Sequence, residues 1–256
     1  MPQYLTTSTD RKIAYVQTPA EGAIDGPGVV FLGGLLSDMG GTKAVFLEEW
    51  AHAQGRAFLR FDYSGHGLSS GRFTDGCIGD WAADACEVIT TLTQGPQVLV
   101  GSSMGGWISL ILSGRMPEKI AGIVGIASAP DFTEDSMWAG FSDAQRADMA
   151  KTGQVALPSD YGEPYIITRR MIEDGRTQLV LRKPLYLPFP ARFLQGDADA
   201  DVKLSVALRL LEQARGDNIR LSVVKGADHR FSTPECLGLI ATTLAEVVAL
   251  AGQSEE

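Results

Sequence analysis

The serine at position 103 lies in a pattern that can do chemistry. Gly101-Ser102-Ser103-Met104-Gly105 fits the motif G-x-S-x-G, and it joins the apolar run "PQVLV" to the apolar segment "WISLILSGRM". A strand before this motif and a helix after it place a nucleophilic serine on a sharp, strained turn. The glycines are needed because the neighbouring positions have room for little or no side chain. We predict that Ser103 is a nucleophile and Ser102 a spacer; the alternative is a glycine-rich turn without chemistry.

A serine hydroxyl needs a base, and the base needs an acid that orients it. His229, in "KGADHRFS", is the only histidine downstream of Ser103 and is therefore the predicted base, unless it is a surface histidine. In hydrolases with this motif the acid lies between the serine and the histidine in the chain. It is expected after the apolar run "ARFLQG", where "GDADADV" offers Asp197, Asp199 and Asp201.

The negative charge that develops on a reacting carbonyl oxygen needs hydrogen-bond donors. One donor is the N–H of the residue after the nucleophile, Met104, and the other comes from the loop after "GVVFL". That loop reads Gly33-Gly34-Leu35, so we predict Leu35 as the second donor. Asp62 and His66, in "FDYSGHGLSSG", precede the serine, and we interpret their loop as a structural frame.

The elements that must position these residues follow an alternating pattern. Short apolar runs alternate with amphipathic segments, which predicts a mostly parallel sheet with helices on both faces. Near the start, "QYLTT" and "KIAYVQT" predict an antiparallel hairpin at one edge. With that hairpin the sheet has eight predicted strands. Helices are predicted over residues 42–54, with Thr42 as N-cap, and over 79–92, 104–116, 204–214 and 234–251.

The alternation breaks over residues 131–190, which we call the cap segment. It has helical pieces, several prolines and no buried-strand pattern, so we predict a small helical cap inserted in a single domain of residues 1–256. Its many aromatic and methionine residues argue against the alternative, a partly disordered linker. Apolar surface for an acyl chain is offered by Met137, Trp138, Phe141, Met149, Tyr161, Tyr165 and Met171. The predicted substrate contacts are Gly34, Trp138, Phe141 and Tyr165.

Composition excludes several kinds of partner. The chain has 256 residues, 45% of them hydrophobic, and a formal net charge of −9. An acidic chain repels nucleic acid and anionic membrane surfaces, so neither is expected to bind. No run of about 18 apolar residues is present, so we expect no integral membrane association. Composition predicts nothing about the oligomeric state.

Cysteine and histidine usage bears on compartment and metals. An odd set of three cysteines without framework spacing argues for a reducing compartment. The N-terminus "MPQYLTTSTDRK" has no leader pattern, and the two observations together predict a cytoplasmic location. The three histidines are scattered without metal-ligand spacing, so no metal site is predicted.

Four sequence strings together resemble the α/β-hydrolase fold and, within it, the mitochondrial abhydrolase-domain enzymes. These strings are "DMGGTKAVFLEEW", "RFDYSGHGLSSG", "GSSMGGW" and "DHR". That family is described as acyl-protein thioesterases and acyl-glucuronide esterases. The resemblance implies Ser103 as nucleophile, His229 as base and Asp199 as acid, because Asp199 fits the family spacing G-x-x-D-x-x-V. Two positions depart from the family: its His-Gly oxyanion motif reads Gly33-Gly34 here, and its proline after the acid-loop valine is Lys203.

The leading hypothesis is a serine hydrolase that cleaves carboxylic ester or thioester bonds through an acyl-enzyme. It needs no cofactor, and its substrate is a small-molecule ester or an acylated molecule, including an acylated protein. A carbon–carbon bond hydrolase uses the same three residues, and an acyltransferase uses the same acyl-enzyme. A non-catalytic ligand-binding protein is the remaining alternative, because a fold does not fix a function.

Overall fold

An eight-stranded sheet forms the centre of the molecule. The structure, a computed structural model, describes residues 1–21, 26–158 and 164–253. The strands of the central sheet are β1 (Gln3–Thr6), β2 (Lys12–Thr18), β3 (Gly28–Leu32), β4 (Phe58–Phe61), β5 (Gln97–Ser102), β6 (Ile120–Ile126), β10 (Ala191–Gly196) and β12 (Ile219–Val224). Four short strands lie outside this sheet: β7 (Gln154–Leu157), β8 (Tyr165–Thr168), β9 (Leu185–Tyr186) and β11 (Ala214–Arg215). The central sheet confirms the predicted eight-stranded α/β sheet.

The order of the strands brings the loops of interest together. Across the sheet it is β1-β2-β4-β3-β5-β6-β10-β12. β1 and β2 form an antiparallel hairpin at one edge, as predicted, and β2 also runs antiparallel to β4. The six remaining strands are parallel. Their carboxyl ends therefore meet at one edge, where open α/β sheets bind ligands.

Helices cover both faces of the sheet. The helices of the described residues are α1 (Thr42–Ala53), α2 (Ile78–Leu92), α3 (Met104–Arg115), α4 (Asp143–Thr152), α5 (Arg169–Thr177), α6 (Leu204–Gln213) and α7 (Pro234–Gly252), of which α4 and α5 lie in the cap segment. One apolar cluster joins the sheet to α2 and α3, with the side chains of Trp81 and Trp107 fully buried. A second cluster joins the opposite face to α1 and α7 through Leu47, Leu244 and neighbouring residues. Burial on both faces explains why the parallel strands read as continuous apolar runs.

The start of α1 differs from the prediction. Thr42 is the first residue of the helix and Gly41 is the N-cap, without a side-chain capping bond. Gly41 closes a turn through its N–H, which donates to the carbonyl of Asp38 at 3.2 Å. The prediction of Thr42 as N-cap was therefore wrong by one residue, because a turn rather than a hydroxyl begins the helix.

The cap segment contains strands as well as helices. A π-helical turn (Thr133–Trp138), α4 and α5 are present, but β7 and β8 form an antiparallel hairpin between the two helices. The predicted helical pieces are present, but this hairpin was not predicted, because each of its four-residue strands buries a single side chain, Val155 or Ile167. So short a pattern is not distinguishable from a loop in the sequence. Tyr161, one of the apolar residues predicted here, lies outside the described residues.

Hydrogen bonds attach the cap segment to the helices below it. The carboxylate of Asp174 accepts the N–H of Gly79 at 2.7 Å, in the first turn of α2. The indole Nε1 of Trp107, on α3, donates to the carbonyl of Gln178 at 3.1 Å. The segment is thus held by both helices on one face of the sheet.

Helix α7 is long and apolar enough, by length and composition alone, to cross a membrane. The sequence expectation that no such stretch exists overlooked it, because α7 is interrupted by glycine, threonine and glutamate. Seven of its residues are buried, among them Ile240, Leu244 and Val247, which belong to the second apolar cluster. In this structure α7 packs on the sheet as a core helix does.

Candidate active site

Ser103 occupies the turn between β5 and α3. Its backbone has φ 54° and ψ −115°, a conformation that a residue with a side chain rarely adopts. The turn is held by the N–H of Ser103, which donates to the carbonyl of Ile126 at 2.9 Å, and by the carbonyl of Ser103, which accepts from Gly106 and Ala129. Ser102 is buried within β5, whereas Ser103 is partly exposed. Of the two adjacent serines, only Ser103 is thus presented on the strained turn.

The two glycines of the motif are required by close backbone contacts. A Cβ on Gly101 would lie 2.4 Å from the carbonyl oxygen of Gly105, and one on Gly105 would lie 2.0 Å from the carbonyl oxygen of Leu32. Neither distance is possible for real atoms, and the neighbours are backbone that cannot rotate away. The glycines therefore allow α3 to approach the strands closely enough for the turn to form.

A continuous line of hydrogen bonds joins Asp199, His229 and Ser103. His229 Nδ1 lies 2.8 Å from Oδ2 of Asp199, and His229 Nε2 lies 3.1 Å from Oγ of Ser103. A carboxylate can only accept, so Nδ1 carries the proton and Nε2 is left as an acceptor for the serine hydroxyl. The three residues follow β5, β10 and β12, so the sheet topology brings together positions far apart in the sequence.

Asp199 is held as a carboxylate by several donors. Its side chain is fully buried. Oδ1 accepts the N–H groups of Asp201 (2.9 Å) and Val202 (2.8 Å), and Oδ2 accepts Nε2 of Gln195 (3.0 Å) as well as His229. Burial by itself would raise the pKa of Asp199, but the hydrogen bonds from His229 and Val202 outweigh it and hold the pKa below its usual range. The group is therefore negatively charged behind the imidazole at neutral pH.

The neighbouring acids have other surroundings. Asp197 faces Lys225, with Oδ2 2.6 Å from Nζ, and also accepts the N–H of Gly226. Asp201 is exposed and offers its N–H, not its carboxylate, to Asp199. Of the three candidates that the sequence left open, only Asp199 is hydrogen-bonded to His229.

Of the predicted oxyanion donors, Leu35 lies in the loop after β3 and Met104 is the first residue of α3, directly after Ser103. Within the described parts of the chain, neither N–H donates to a protein acceptor. Gly34 lies against the nucleophile, since a Cβ placed on it would be 3.5 Å from the Cβ of Ser103. The two N–H groups are consequently available for a substrate oxygen.

Asp62 and His66 have the framing role that was predicted for their loop. Asp62 accepts the N–H of Met39 (2.6 Å) on one oxygen and that of Leu68 (2.8 Å) on the other. It thereby ties the loop after β3 to the loop after β4. His66 is buried and contacts the rings of Tyr63, Phe73 and Trp81 edge-on, and burial lowers its pKa. Neither side chain takes part in the line of hydrogen bonds at Ser103.

The predicted substrate contacts in the cap segment are found in different surroundings. Phe141 is buried with its ring centroid 5.9 Å from that of Trp138. The guanidinium groups of Arg146 and Arg176 lie over the indole of Trp138, which lines a cavity of about 280 Å³ that Ser103 does not line. Tyr165, at the start of β8, is partly buried against the first apolar cluster. Contact of these side chains with a substrate stays a prediction.

Three ligand-type groups come close at this site, although the sequence spacing gave no sign of it. Among the described residues, Asp199, Asp201 and His229 offer ligand atoms within 4.8 Å of one another. The atoms of Asp199 and His229 already bond each other and Ser103. A metal ion at this point would have to break the hydrogen bond between them.

Gln195 contacts the predicted acid, and the sequence reasoning missed it. Its side-chain Nε2 donates to Asp199 Oδ2, and to the carbonyl of Val202 at 2.9 Å, so it supports the acid from within β10. The sequence did offer one sign of this contact: Gln195 is a polar residue at a position that the apolar strand pattern assigns to the core. Gln195 is only 1% exposed, so its side-chain amide bonds protein groups and not solvent.

Comparison with known proteins places the chain in context. The family described as "alpha/beta hydrolase fold" matches residues 27–173. The mitochondrial palmitoyl-protein thioesterase ABHD10 of Rattus norvegicus is 33% identical over 224 residues, which cover 87% of this chain and 75% of the rat protein. These findings confirm the resemblance that the sequence motifs predicted.

Solved structures agree with that assignment. A proposed hydrolase of Agrobacterium vitis S4 is 37% identical, with a TM-score of 0.92 over 97% of this chain and 98% of that one. Alpha/beta hydrolase domain-containing protein 10 from mouse is 30% identical, with a TM-score of 0.88 over the same shares.

The relatives correct the expected location. The named thioesterases at 30–33% identity are mitochondrial, so the prediction of a cytoplasmic location was wrong. Its physical basis was too general, because unpaired cysteines indicate a reducing compartment and do not distinguish one such compartment from another.

Proposed function

Because the chain belongs to the α/β-hydrolase family, and within it to the family of the ABHD10 thioesterases, we propose that it is a serine thioesterase working through an acyl-enzyme on Ser103. His229 is the base and Asp199 the acid that orients it. The observation that carries the assignment is the line of hydrogen bonds from Asp199 Oδ2 through the imidazole to Ser103 Oγ, at 2.8 Å and 3.1 Å. Membership of this family supports an esterase or thioesterase activity. The roles of Ser103, His229 and Asp199 are our proposal.

The first half of the reaction forms the acyl-enzyme. Ser103 Oγ attacks the carbonyl carbon of the acyl group while its proton passes to His229 Nε2. The carbonyl oxygen becomes an oxyanion and accepts the N–H groups of Leu35 and Met104. As the tetrahedral intermediate collapses, the bond to the leaving sulfur or oxygen breaks, and that atom takes the proton from Nε2.

The second half returns the enzyme to its starting state. Water gives a proton to His229 Nε2 and attacks the acyl carbon. Collapse of the second tetrahedral intermediate releases the carboxylic acid, and Ser103 Oγ recovers its proton from Nε2. The buried carboxylate of Asp199 stabilises the imidazolium each time it forms, because its charge is unscreened by solvent.

For the substrate we propose an acylated molecule with a long chain, because the ABHD10 relatives are named palmitoyl-protein thioesterases. The cap segment, residues 131–190, would cover the acyl group, with Gly34, Trp138, Phe141 and Tyr165 as contacts. An acylated protein or a small ester would both present the same carbonyl to Ser103.

The test is a set of hydrolysis rates on acyl thioesters and matched esters from two to sixteen carbons, with Ser103→Ala as the control. We expect a long-chain thioester optimum that is lost in the variant. Turnover that persists unchanged in folded Ser103→Ala would refute the nucleophile assignment. A short-chain ester optimum that depends on Ser103 would retain the mechanism and overturn the substrate class.

A further inference from the structure

Lys43 reaches from a helix to the loop that carries the base. It is the second residue of α1, and its Nζ donates a hydrogen bond of 2.5 Å to the carbonyl oxygen of Arg230. Arg230 directly follows His229 in the chain. A side chain from a distant element therefore fixes the backbone next to the imidazole.

The histidine lies between two such attachments. Upstream, the carbonyl of Ala227 accepts the N–H of Ala198 at 3.1 Å, which ties the start of the histidine loop to the loop of Asp199. Downstream, Lys43 holds the carbonyl of Arg230. Only Asp228 and His229 separate the two attached residues, so the orientation of the imidazole depends on both.

The position of Lys43 is itself set by the loop after β3, which carries Leu35. That loop ends in the turn that begins α1, where the N–H of Gly41 donates to Asp38. The N–H of Met39, in the same turn, donates to the carboxylate of Asp62. Lys43 thus links the loop that offers the Leu35 N–H to the loop that offers the base.

The Lys43 side chain is partly exposed, and the Asp228 carboxylate lies near its ammonium group. Burial lowers the pKa of Lys43, with the Asp228 carboxylate raising it and Arg230 lowering it. The ammonium group gives up part of its hydration, and the Asp228 charge together with the hydrogen bond to the Arg230 carbonyl offsets that loss. A neutral apolar side chain of the same length would fill the space but offer no donor to the Arg230 carbonyl.

We propose that Lys43 is a positioning residue for His229, holding the carbonyl of Arg230 so that Nε2 stays in line with Ser103 Oγ. The proposal rests on the assignment of His229 as base. It predicts a defect in the chemical steps with little change in substrate binding, since Lys43 touches the histidine loop and not the acyl group.

The experiment compares Lys43→Met, Lys43→Arg and the matched control Lys225→Met with the wild-type enzyme. Lys225 pairs with Asp197 on the adjacent loop and is almost fully exposed, so its loss should leave kcat within about twofold, as for other exposed ion pairs. The readouts are kcat and KM on p-nitrophenyl butyrate and the rate of fluorophosphonate labelling of Ser103. Misplacement of a catalytic group by about 1 Å costs up to about 100-fold, so we expect Lys43→Met to lower kcat and the labelling rate by about 10- to 100-fold, with KM within about twofold.

The conservative variant separates positioning from a general loss of structure. Lys43→Arg retains a donor that can reach the carbonyl and should recover most of kcat. A folded Lys43→Met with unchanged kcat, a rise in KM alone, or an equal loss in Lys225→Met would overturn the proposal, and so would a Lys43→Met that does not fold. Failure of the proposed function gives a different result: a wild-type enzyme without turnover or serine labelling.

Discussion

Gln195 and Asp199 share a buried hydrogen bond of 3.0 Å, in which the Gln195 amide donates to the same carboxylate oxygen that accepts from His229. The second oxygen is fixed by backbone N–H groups. The acid therefore has a rigid position before any substrate arrives, which is what an orienting group requires.

Replacing Gln195 by leucine tests this support. The substitution removes the donor to Asp199 and leaves the buried carbonyl of Val202 unpaired, so we expect a loss of about 1–3 kcal/mol in the free energy of unfolding. kcat should fall as well, because the carboxylate gains freedom to turn. Urea denaturation and steady-state kinetics give the two values. An active variant of wild-type stability would show that the bond is dispensable.

Asp199→Asn and Asp197→Asn form a matched pair of substitutions two residues apart. The asparagine at 199 removes the charge and favours the wrong tautomer of His229, so kcat should drop by about three to four orders of magnitude. Asp197 contacts Lys225 at the surface, and its variant should keep kcat within about twofold, as expected for an exposed pair. Equal losses in the two variants would contradict the assignment of the acid.

The glycines of the turn between β5 and α3 that carries Ser103, which we call the elbow, predict another contrast. Gly101→Ala forces a Cβ to 2.4 Å from the carbonyl oxygen of Gly105, and overpacking of this kind costs about 1–3 kcal/mol or more in the free energy of unfolding. Gly114 lies near the C-terminal end of α3, the helix that follows Ser103, and has open space around it. Gly114→Ala should be neutral or stabilise by up to about 1 kcal/mol through helix propensity. Thermal unfolding of both variants, with activity beside it, measures the difference.

The dependence of stability on pH follows from the lowered pKa of Asp199. A carboxyl whose pKa is lower in the folded than in the unfolded chain stabilises the fold above its unfolded pKa of about 4. That contribution is lost as the pH falls through the folded pKa. The destabilisation caused by Asp199→Asn should therefore be largest at neutral pH and shrink below about pH 4. A difference between the two proteins that stays constant down to acid pH would contradict the ionised state.

The elbow was predictable from the sequence because it is local. Gly101, Ser103 and Gly105 are fixed by contacts among β3, β5 and α3, and their spacing alone carries the geometry. His229 followed by elimination, since no other histidine lies downstream of the serine.

Other features depend on contacts that the sequence does not encode locally. The three aspartates of "GDADADV" have the same side chain, and only the turn after β10 decides that Asp199 faces the imidazole while Asp197 faces Lys225. The hairpin of β7 and β8 buries one residue per strand, which is too short a signal to read. Gln195 contacts Asp199 only four residues away, but the turn after β10 decides that contact. Lys43 contacts Arg230 across 187 residues, which only the folded sheet brings near.

The order of the strands also sets when the enzyme becomes reactive during synthesis. Ser103 is made 126 residues before His229, and β12, which precedes the histidine loop, is an edge strand that pairs only with β10 in the central sheet. Pairings so distant in sequence form late, because closing a long loop must precede any gain from the contact. A nascent chain can therefore build the elbow on β3, β5 and β6 while its serine still lacks a base. On the proposed assignment of His229 as base, hydrolytic activity is expected only after β12 has docked, so the half-made protein would expose no activated serine to acylated molecules.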